Sequence, residues 1–552
     1  MFIMEAKHPS VVETMKKTLA IPEKTEDAAL NVVLDTLGKK KQAIVFVNTK
    51  PSAESMAERV AASIKKNDLS TYGIDMQKAL ALKERILGAV TPPTRQCKRE
   101  AGCIEKGIAF HHAGLHADQK QAIEDAFRSG VVKIICATPT LAMGVDLPAF
   151  RTIIRDLKRY GKRGLQPIPV LEYEQQAGRA GRPGMEDYGE AIIFSETEDE
   201  RERLVDKYIN GESENITSKL AVEPILRMYV LSLVASEFIR ARKGLRAFFE
   251  KTFYAHQYGD TQRLHDLLDG IIMQLQEWEF LKHTDEEFRS ASSIDDDPLD
   301  ATLLGKRVSE LYLDPYTAHQ LILQMQVAAA REKIPAEGML FMINRCLEMR
   351  PLPRVKASEM EIVEGFLNTL SGRLFEKEPE MFDEEYEDFL GAVKQTLLFV
   401  DWTEEKQEEY LLETYNTRPG ELHEKLSNAD WLLYGASEIA KLLAFNNVHR
   451  EALRLRTRLD YGAKEELLPL LRLKGIGRIR ARMLFQNKIK DLGDIKSVDG
   501  STLVHLLGKQ LAIDIKKQVG EEIRPEHLKV KENKRKGQMN LNDYDEDETK
   551  TK

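Results

Sequence analysis

The sequence predicts a doubly wound α/β domain followed by mostly α-helical domains. Short apolar runs at 43–47 and 134–137 end in polar residues, which is typical of buried parallel strands in an α/β sheet. Beyond about residue 200 the apolar residues recur mainly at helical spacing. A chain of 552 residues, at about 150 residues per domain, has room for three or four domains.

The first domain alternates strands and helices. A strand at 43–47 leads into a helix at 52–64, a second strand precedes Phe110, a third runs into a loop at 138–148, and a further strand lies at 191–194. Parallel strands present their functional loops at their carboxyl ends. We therefore expect the polar segments that follow these strands to form the functional surface.

An arginine-containing run at 175–184 reads Gln-Gln-Ala-Gly-Arg-Ala-Gly-Arg-Pro-Gly. Arg179 and Arg182 are three residues apart, which would place both side chains on one face of a helix. Planar guanidinium groups with several donors stabilise charge on a transferring phosphoryl group. The run therefore predicts a phosphate-facing arginine pair, and the alternative is a glycine-rich basic loop.

Residues 155–170 favour a β-hairpin. Gly161 and Gly164 bracket its turn, and Tyr160 lies with several cations near the tip. An aromatic tip can stack on a base pair while cations hold phosphates. The alternative is an ordinary solvated hairpin.

A long helix is expected at 421–444, within a helical bundle at 316–445. Leu422 and Leu426 begin an apolar stripe, and at about 100° per residue Trp431 falls about 180° away from it. From this spacing Trp431 belongs either to a second packing face or to an exposed platform on which a base can stack.

The most basic folded segment lies at 467–498 and is similar to a helix-hairpin-helix. Gly475 and Gly477 predict a tight turn whose backbone N–H groups can approach a phosphate where the second helix starts. The turn is framed by four cations, Lys474, Arg478, Arg480 and Arg482. Such a motif binds the nucleic-acid backbone without reading sequence, and the alternative is a purely structural helical turn.

The end of the chain, from Lys529, is polar and charged, which favours a disordered tail. Gln538, Leu541 and Tyr544 resemble a sliding-clamp-binding box, Gln-x-x-Leu-x-x-aromatic-aromatic, with Asp545 in place of the second aromatic residue. The tail is therefore either a clamp-binding segment or an ordinary polar tail.

The composition limits the classes of protein to consider. A hydrophobic fraction of 42% and a charged fraction of 31% are typical of a soluble globular protein. The net charge of -8 supplies no global attraction for nucleic acid, so binding would depend on local basic patches. The absence of a run of about 18 apolar residues and of a signal peptide predicts a cytoplasmic protein without membrane spans. The four cysteines lack paired spacing, which favours reduced thiols over a metal site or disulfides.

Several of these motifs resemble one helicase family. The pattern Gln-x-x-Gly-Arg-x-Gly-Arg at 175–182 resembles the sixth motif of superfamily-two helicases, and Phe-His-His-Ala-Gly-Leu at 110–115 is similar to a segment of the Ski-two-like branch. Patterns at 302–315 and in the long helix resemble archaeal DNA helicases of the Holliday-junction-migration (Hjm) type. The resemblance extends over nearly the whole chain. It implies a second RecA-like motor domain at 1–200, a winged-helix domain at 201–315, a helical ratchet bundle at 316–445, a helix-hairpin-helix domain at 446–520 and a disordered tail at 521–552.

The resemblance also implies roles for single residues. It places Arg179 and Arg182 at the γ-phosphate of ATP. It places Gln175, Gly144 and Asp146 at the nucleotide and the interface between motor domains. The residues that it implies at the DNA are Thr138, Tyr160 on a strand-separating hairpin, Trp431 on the ratchet helix, and Lys474, Gly475, Gly477, Arg478 and Arg480. The family's arginine two turns before the tryptophan is replaced by Glu424, so either Lys425 substitutes for it or the grip on the strand is weaker.

Two motifs of a complete motor are not found in the sequence, a Gly-x-x-x-x-Gly-Lys-Ser/Thr phosphate loop and an Asp-Glu-x-His segment. In the family both belong to the first RecA-like domain, which we expect to precede residue 1 or to be supplied as a separately encoded partner. We therefore expect ATP and Mg²⁺ in the complete enzyme and neither on this chain alone.

The expected function is that of the C-terminal portion of an ATP-dependent 3′–5′ DNA helicase that acts on single-stranded and forked DNA in replication-coupled repair. One alternative is a non-enzymatic DNA-binding module derived from a helicase. Another is an RNA helicase of the exosome-associated branch, which is disfavoured because the helix-hairpin-helix suits DNA and no long arch insertion is present.

Overall fold

The first domain is built on a seven-stranded sheet in this computed structural model, which describes residues 2–6, 12–13, 21–90, 92–161, 164–181, 187–220, 222–283 and 298–521. The strands are β1 (Phe2–Ala6), β2 (Val12–Glu13), β3 (Ala43–Phe46), β4 (Ile108–His111), β5 (Ile134–Ala137), β6 (Arg151–Ile154), β7 (Lys158–Gly161), β8 (Gly164–Pro167) and β9 (Gly189–Ile193). Their order in the sheet is β2-β1-β9-β6-β3-β5-β4, and β7 and β8 form a separate two-stranded hairpin.

The centre of the sheet is parallel, as the sequence predicts. β4, β5, β3, β6 and β9 pair in parallel, whereas β1 pairs antiparallel with both β2 and β9. Every residue of β3 to β6 is buried, as expected for parallel strands that helices cover. The predicted hairpin is confirmed, with Tyr160 opposite Leu165 and Gly161 opposite Gly164.

The α-helices follow in chain order. In the first domain and the linker after it they are α1 (Ala28–Gly38), α2 (Lys50–Ser63), α3 (Met76–Gly88), α4 (Arg95–Ile104), α5 (Ala117–Arg128), α6 (Val170–Ala177) and α7 (Glu198–Leu204). The next group is α8 (Glu223–Ala235), α9 (Arg242–Phe249), α10 (Phe253–Tyr258), α11 (Thr261–Glu277), α12 (Leu303–Glu310), α13 (Pro315–Ala329), α14 (Ala336–Asn344), α15 (Met360–Leu370), α16 (Tyr386–Thr403), α17 (Glu408–Tyr415), α18 (Pro419–Leu442) and α19 (Asn446–Tyr461). The last group is α20 (Leu468–Leu471), α21 (Arg478–Gln486), α22 (Leu492–Ser497), α23 (Gly500–Leu507) and α24 (Lys509–Gln518).

Strand β6 is an element that the sequence pattern does not single out, because it begins with a charged residue. Arg151 is fully buried, and its guanidinium is paired with Asp35 and Glu190 and donates to the hydroxyl of Thr36. A buried charge is tolerated where partners of opposite charge surround it. The arginine therefore ties α1 and β9 to the middle of the sheet.

The apolar residues form separate cores along the chain. One core spans 29–208, a second spans 226–459 and a third spans 463–515. Helix α19 packs along α18 and belongs to the second core, so the second and third cores divide near residue 463, whereas the predicted boundary at 446 falls at the first residue of α19. The regions predicted as separate winged-helix and ratchet domains share the second core.

Among the residues that the structure describes, no helix is both long and apolar enough to cross a membrane. All four cysteines are buried free thiols. The predicted clamp-binding residues Gln538, Leu541 and Tyr544 lie outside the described ranges, as does Arg182.

Candidate nucleotide and nucleic-acid interfaces

Arg179 lies just beyond the end of α6 and not on the helix. The helix ends at Ala177 with Gly178 as its cap, and the carbonyl of Arg179 accepts a hydrogen bond from the N–H of Ala149 at 2.9 Å. Gly181 has a φ of +94°, a conformation that an α-helix cannot contain and that favours glycine. The expectation that Arg179 shares a helical face with Arg182 is therefore wrong, because the glycines end the helix first.

The side chain of Arg179 meets the loop that follows β5. Its Nη2 donates to the carbonyl of Ala142 at 2.5 Å, and its Nη1 lies 3.7 Å from Oδ1 of Asp146. The Asp146 side chain is 96% exposed, and Gly144 has a φ of +82° with open space at its Cβ position. The structure thus brings Arg179 to the loop that carries Gly144 and Asp146, more than thirty positions earlier in the sequence. A guanidinium has five N–H donors, so Arg179 retains donors for an anion beside its hydrogen bond to Ala142 and its long contact with Asp146.

Gln175 lies on the last turn of α6, four residues before Arg179. Its Oε1 is buried and has no hydrogen-bond partner among the described residues. A buried, unsatisfied oxygen costs free energy and is typical of a site that a ligand or a further domain completes. The location of Gln175 therefore fits the nucleotide and motor interface that the resemblance implies.

Helix α6 is capped from outside. Pro169 precedes it and provides no side-chain cap, and the backbone N–H groups of Val170 and Leu171 donate instead to Glu214 at 2.7 and 3.1 Å. These hydrogen bonds lower the pKa of the Glu214 carboxyl. The linker that leaves the first domain therefore fixes the start of the helix that carries Gln175.

The predicted DNA contacts of the first domain are only partly described. Thr138 is buried, and its hydroxyl pairs at 2.9 Å with that of Thr140, which is exposed at the end of β5. Thr140 is thus a more accessible hydroxyl than the residue that the sequence singles out. Tyr160 lies on β7 as predicted, but its side chain is outside the described set, and the neighbouring Arg159 is bound by Glu172 of α6 at 2.7 Å.

Trp431 lies on α18 but packs against the second core. Its side chain is half-buried, and its indole Nε1–H donates to the carbonyl of Leu311 at 2.9 Å. Trp431 is therefore half-buried and not fully exposed, because Leu432 and Ile439 bury a second side of the helix that it adjoins, and its stacking on a base stays a prediction. The other interpretation of the spacing, a second packing face, agrees with the contact between Trp431 and the second core.

Two exposed tyrosines near Trp431 were not identified as candidate site residues from the sequence. Tyr434 is one turn further along α18, is 36% exposed and lies under the guanidinium of Arg456 at 5.0 Å. Tyr312 follows Leu311 and is 76% exposed. The three-residue spacing of Trp431 and Tyr434 could have revealed the first of these.

Lys425 does not substitute for the arginine that the family carries. Its ammonium donates to the carbonyls of Met349 and Pro351, the latter at 3.0 Å, and burial lowers its pKa. Glu424 remains exposed on the helix. These contacts favour the second interpretation, which is weaker binding of the DNA strand at this position of the helix.

The segment predicted to be a helix-hairpin-helix has the expected turn at Gly475 and Gly477. Gly475 has a φ of +89°, and Gly477 caps the start of α21 without a side chain in front of it. Lys474 and Arg480 are exposed beside this turn. The open helix start and these two cations form a surface suited to a phosphate.

Arg478 points away from that surface. Its guanidinium lies 4.6 Å from the centre of the Trp402 ring and donates to the carbonyl of Gly462 at 3.3 Å. Desolvation at this site lowers its pKa. Arg482 is likewise bound by Glu405 and Glu466. The assignment of Arg478 as an exposed DNA contact is therefore wrong, because its guanidinium packs on Trp402 and donates to the carbonyl of Gly462.

Two family models match the chain. The description "Helicase conserved C-terminal domain" applies to residues 90–184, and "Archaeal helicase, domain 4" applies to residues 337–462. The first covers β4 to α6 with the Arg179 site, and the second ends where the second core ends.

Curated relatives match most of the chain. Proteins named ATP-dependent DNA helicase Hel308 are 36% identical in Methanocella arvoryzae, 35% in Methanococcus vannielii and 36% in Pyrococcus abyssi. The alignments cover 90%, 88% and 92% of this chain, and 65%, 66% and 67% of the respective relatives. The chain spans slightly less than two thirds of the length of the first two.

These alignments cover about nine tenths of the chain, and the two family models lie in the α/β domain and in the helical region. The chain therefore belongs to the Hel308 family of archaeal helicases.

Proposed function

We propose that the chain is the part of an ATP-dependent DNA helicase of the Hjm type that follows the first RecA-like motor domain. The observation that carries this proposal is the convergence of Arg179, Gly144 and Asp146 at the exposed loop after β5, beside the unsatisfied Gln175. The relatives named ATP-dependent DNA helicases support it.

The residues present fit one side of an ATP site. Arg179, with Arg182, would hold the γ-phosphate, and Gln175, Gly144 and Asp146 would face the nucleotide and the first motor domain. Mg²⁺ and the phosphate loop would be supplied by that first domain, and the metal would neutralise phosphate charge when bound. This chain's part is to bring its arginines to the phosphates when the two motor domains close.

DNA would run from the first domain along α18 to the basic C-terminal unit. In this proposal Thr138 and Thr140 contact the backbone, Tyr160 lies on a strand-separating hairpin, and Trp431 stacks through the part of its ring that remains accessible. Lys474, Gly475, Gly477 and Arg480 hold phosphates further along. Translocation would be 3′ to 5′ on single strands of forked DNA in replication-coupled repair.

Two further parts of the proposal rest on sequence alone. Gln538, Leu541 and Tyr544 would bind a sliding clamp, and the protein would work in the cytoplasm. The domain series would be a second motor domain, a winged helix, a ratchet bundle and a helix-hairpin-helix unit, with the last beginning near residue 463.

The test supplies a first RecA-like domain of a Hel308 relative in trans. The chain alone should show no DNA-stimulated ATP hydrolysis, and the mixture should show it. Arg179→Ala should abolish the activity of the mixture, and Arg85→Ala, at an exposed arginine on α3, is the matched control that should retain it. Hydrolysis by the chain alone that Arg179→Ala removes would show that the chain holds a complete site.

A further inference from the structure

The Phe-His-His-Ala-Gly-Leu segment at 110–115 lies against the start of α18. The N–H of Gly420, in the first turn of α18, donates to the carbonyl of Gly114 at 3.1 Å. A Cβ on Gly420 would lie 2.3 Å from the carbonyl oxygen of Leu115, and a Cβ on Gly114 would lie 2.4 Å from Cδ of Arg418. The two backbones therefore approach each other so closely at Gly420 that only glycine fits there, and a side chain at Gly114 would displace the side chain of Arg418.

A buried carboxylate connects the same two elements. Oε1 of Glu54, on α2, accepts from Nε of Arg418 at 3.0 Å and lies 3.2 Å from Nε2 of His112. Its other oxygen accepts from Arg99 at 2.5 Å. The side chains of Glu54 and His112 are 5% and 0% exposed. Burial alone would raise the pKa of Glu54, but these partners outweigh it and lower that pKa to about 2.

His112 is oriented for this contact. The N–H of Gly114 donates to its Nδ1 at 3.1 Å, so Nδ1 is unprotonated and the ring proton is on Nε2, which faces Glu54. Burial lowers the pKa of His112 and keeps the ring neutral. The second histidine of the motif thus accepts a hydrogen bond from its own loop at Nδ1 and places Nε2 beside the carboxylate.

More exposed contacts surround the buried ones. Lys50, which begins α2, pairs with Glu421, and Glu421 also accepts from the N–H of Arg418 at 2.9 Å. The rings of His116 and His423 meet edge to face at 4.9 Å. The apolar cores of the first domain and of the helical region are separate, so these directional contacts define the junction.

We propose that Glu54, His112 and Arg418 are positioning residues that hold the start of α18 to the first domain, so that the DNA-binding surfaces of both parts engage one strand in register. This inference rests on the proposed function. Apolar burial would allow the two parts to slide, whereas paired charges with glycine-to-glycine backbone contact fix one geometry. Pre-ordering two halves of a site raises affinity for a ligand that spans both.

The test compares single strands of two lengths on the full chain. One reaches from the loop at Thr138 to the turn at Gly475, and the other is too short to touch both. Arg418→Gln should weaken binding of the long strand by about tenfold or more and leave the short strand unchanged. Arg418→Lys, which retains a cation opposite Glu54, should recover part of the loss. Arg99→Gln is the matched control, because Arg99 contacts the same carboxylate within the first domain and should not change the preference for the long strand.

A charge reversal provides a second set of variants at a partly exposed pair. Lys50→Glu and Glu421→Lys should each reduce the preference for the long strand, and the double reversal should restore it. If the wild type binds DNA without preferring the long strand, the proposed path of the DNA fails. If the wild type prefers the long strand and both Arg418→Gln and the reversals retain that preference, the junction is not a positioning device.

A measurement without DNA addresses the junction directly. The four native cysteines are buried, so labels can be placed at Lys66→Cys and Lys377→Cys, one on each part. Energy transfer between them should give a broader distance distribution in Arg418→Gln than in the wild type or Arg99→Gln. An unchanged distribution would overturn the inference, whatever the DNA measurements show.

Discussion

The helical spacing of Trp431 did not decide whether its side chain is exposed or packed, and the structure shows it partly packed. Its indole donates to Leu311 and its ring packs on the second core, so its removal should cost stability. We expect Trp431→Ala to lower the free energy of unfolding by about 2 kcal/mol or more in urea titrations. Trp431→Phe, which retains most of the packing but loses the hydrogen bond, should lower it by about 1 kcal/mol. An unchanged midpoint in Trp431→Ala would show that the ring is free after all.

Glu54 predicts a pH dependence at the junction. Its pKa is lowered from 4.5 to about 2, so its contribution to stability is complete above 4.5 and is lost as the pH falls toward 2. Glu54→Gln should therefore be less stable than the wild type by about 3 kcal/mol at pH 7, and this difference should shrink below pH 4.5 and disappear only near pH 2. In the Arg418→Gln background, Glu54→Gln should lower the free energy of unfolding by a smaller amount. Equal differences at both pH values, measured by chemical unfolding, would contradict this prediction.

Elements with regular patterns were predictable from the sequence, and those decided by long-range partners were not. The buried strands β3 and β5 and the hairpin at Gly161 and Gly164 follow from local composition. Strand β6 was missed because Arg151 is stabilised by partners distant in sequence. The end of α6 was misplaced because three-residue arginine spacing suggested a helix that the neighbouring glycines prevent.

The cap on α6 gives a prediction for an element. Glu214 supplies the two hydrogen bonds that Pro169 cannot, and it does so from a linker over forty residues away. Glu214→Ala should leave these first-turn N–H groups unpaired and speed amide hydrogen exchange at Val170 and Leu171. Glu212→Ala, two residues earlier and exposed, is the matched control and should leave their exchange unchanged. Equal protection in both variants would show that the cap is dispensable.

At the scale of the whole molecule, the series of units was predictable but their docking was not. Motif order predicts an α/β domain before a helical region, and the structure has that order, whereas the named domains within the helical region stay a prediction. Nothing in the sequence near Arg478 indicates that it would stack on Trp402, or that Arg482 would pair with Glu405. Both contacts join the third core to the second, so basic residues that look equivalent in sequence divide into a docking pair and an exposed pair.

This division predicts opposite effects of neighbouring substitutions. Arg480 is exposed beside the Gly475 turn, whereas Arg482 is bound by Glu405 and Glu466. Arg480→Ala should weaken single-strand binding and reduce the slope of log affinity against log salt by about one, because one phosphate contact is lost. Arg482→Gln should leave that slope unchanged and instead loosen the C-terminal unit, which small-angle scattering would detect as a larger radius of gyration. If Arg482→Gln reduced the salt slope and Arg480→Ala did not, the cation that faces DNA would be the one that the structure assigns to docking.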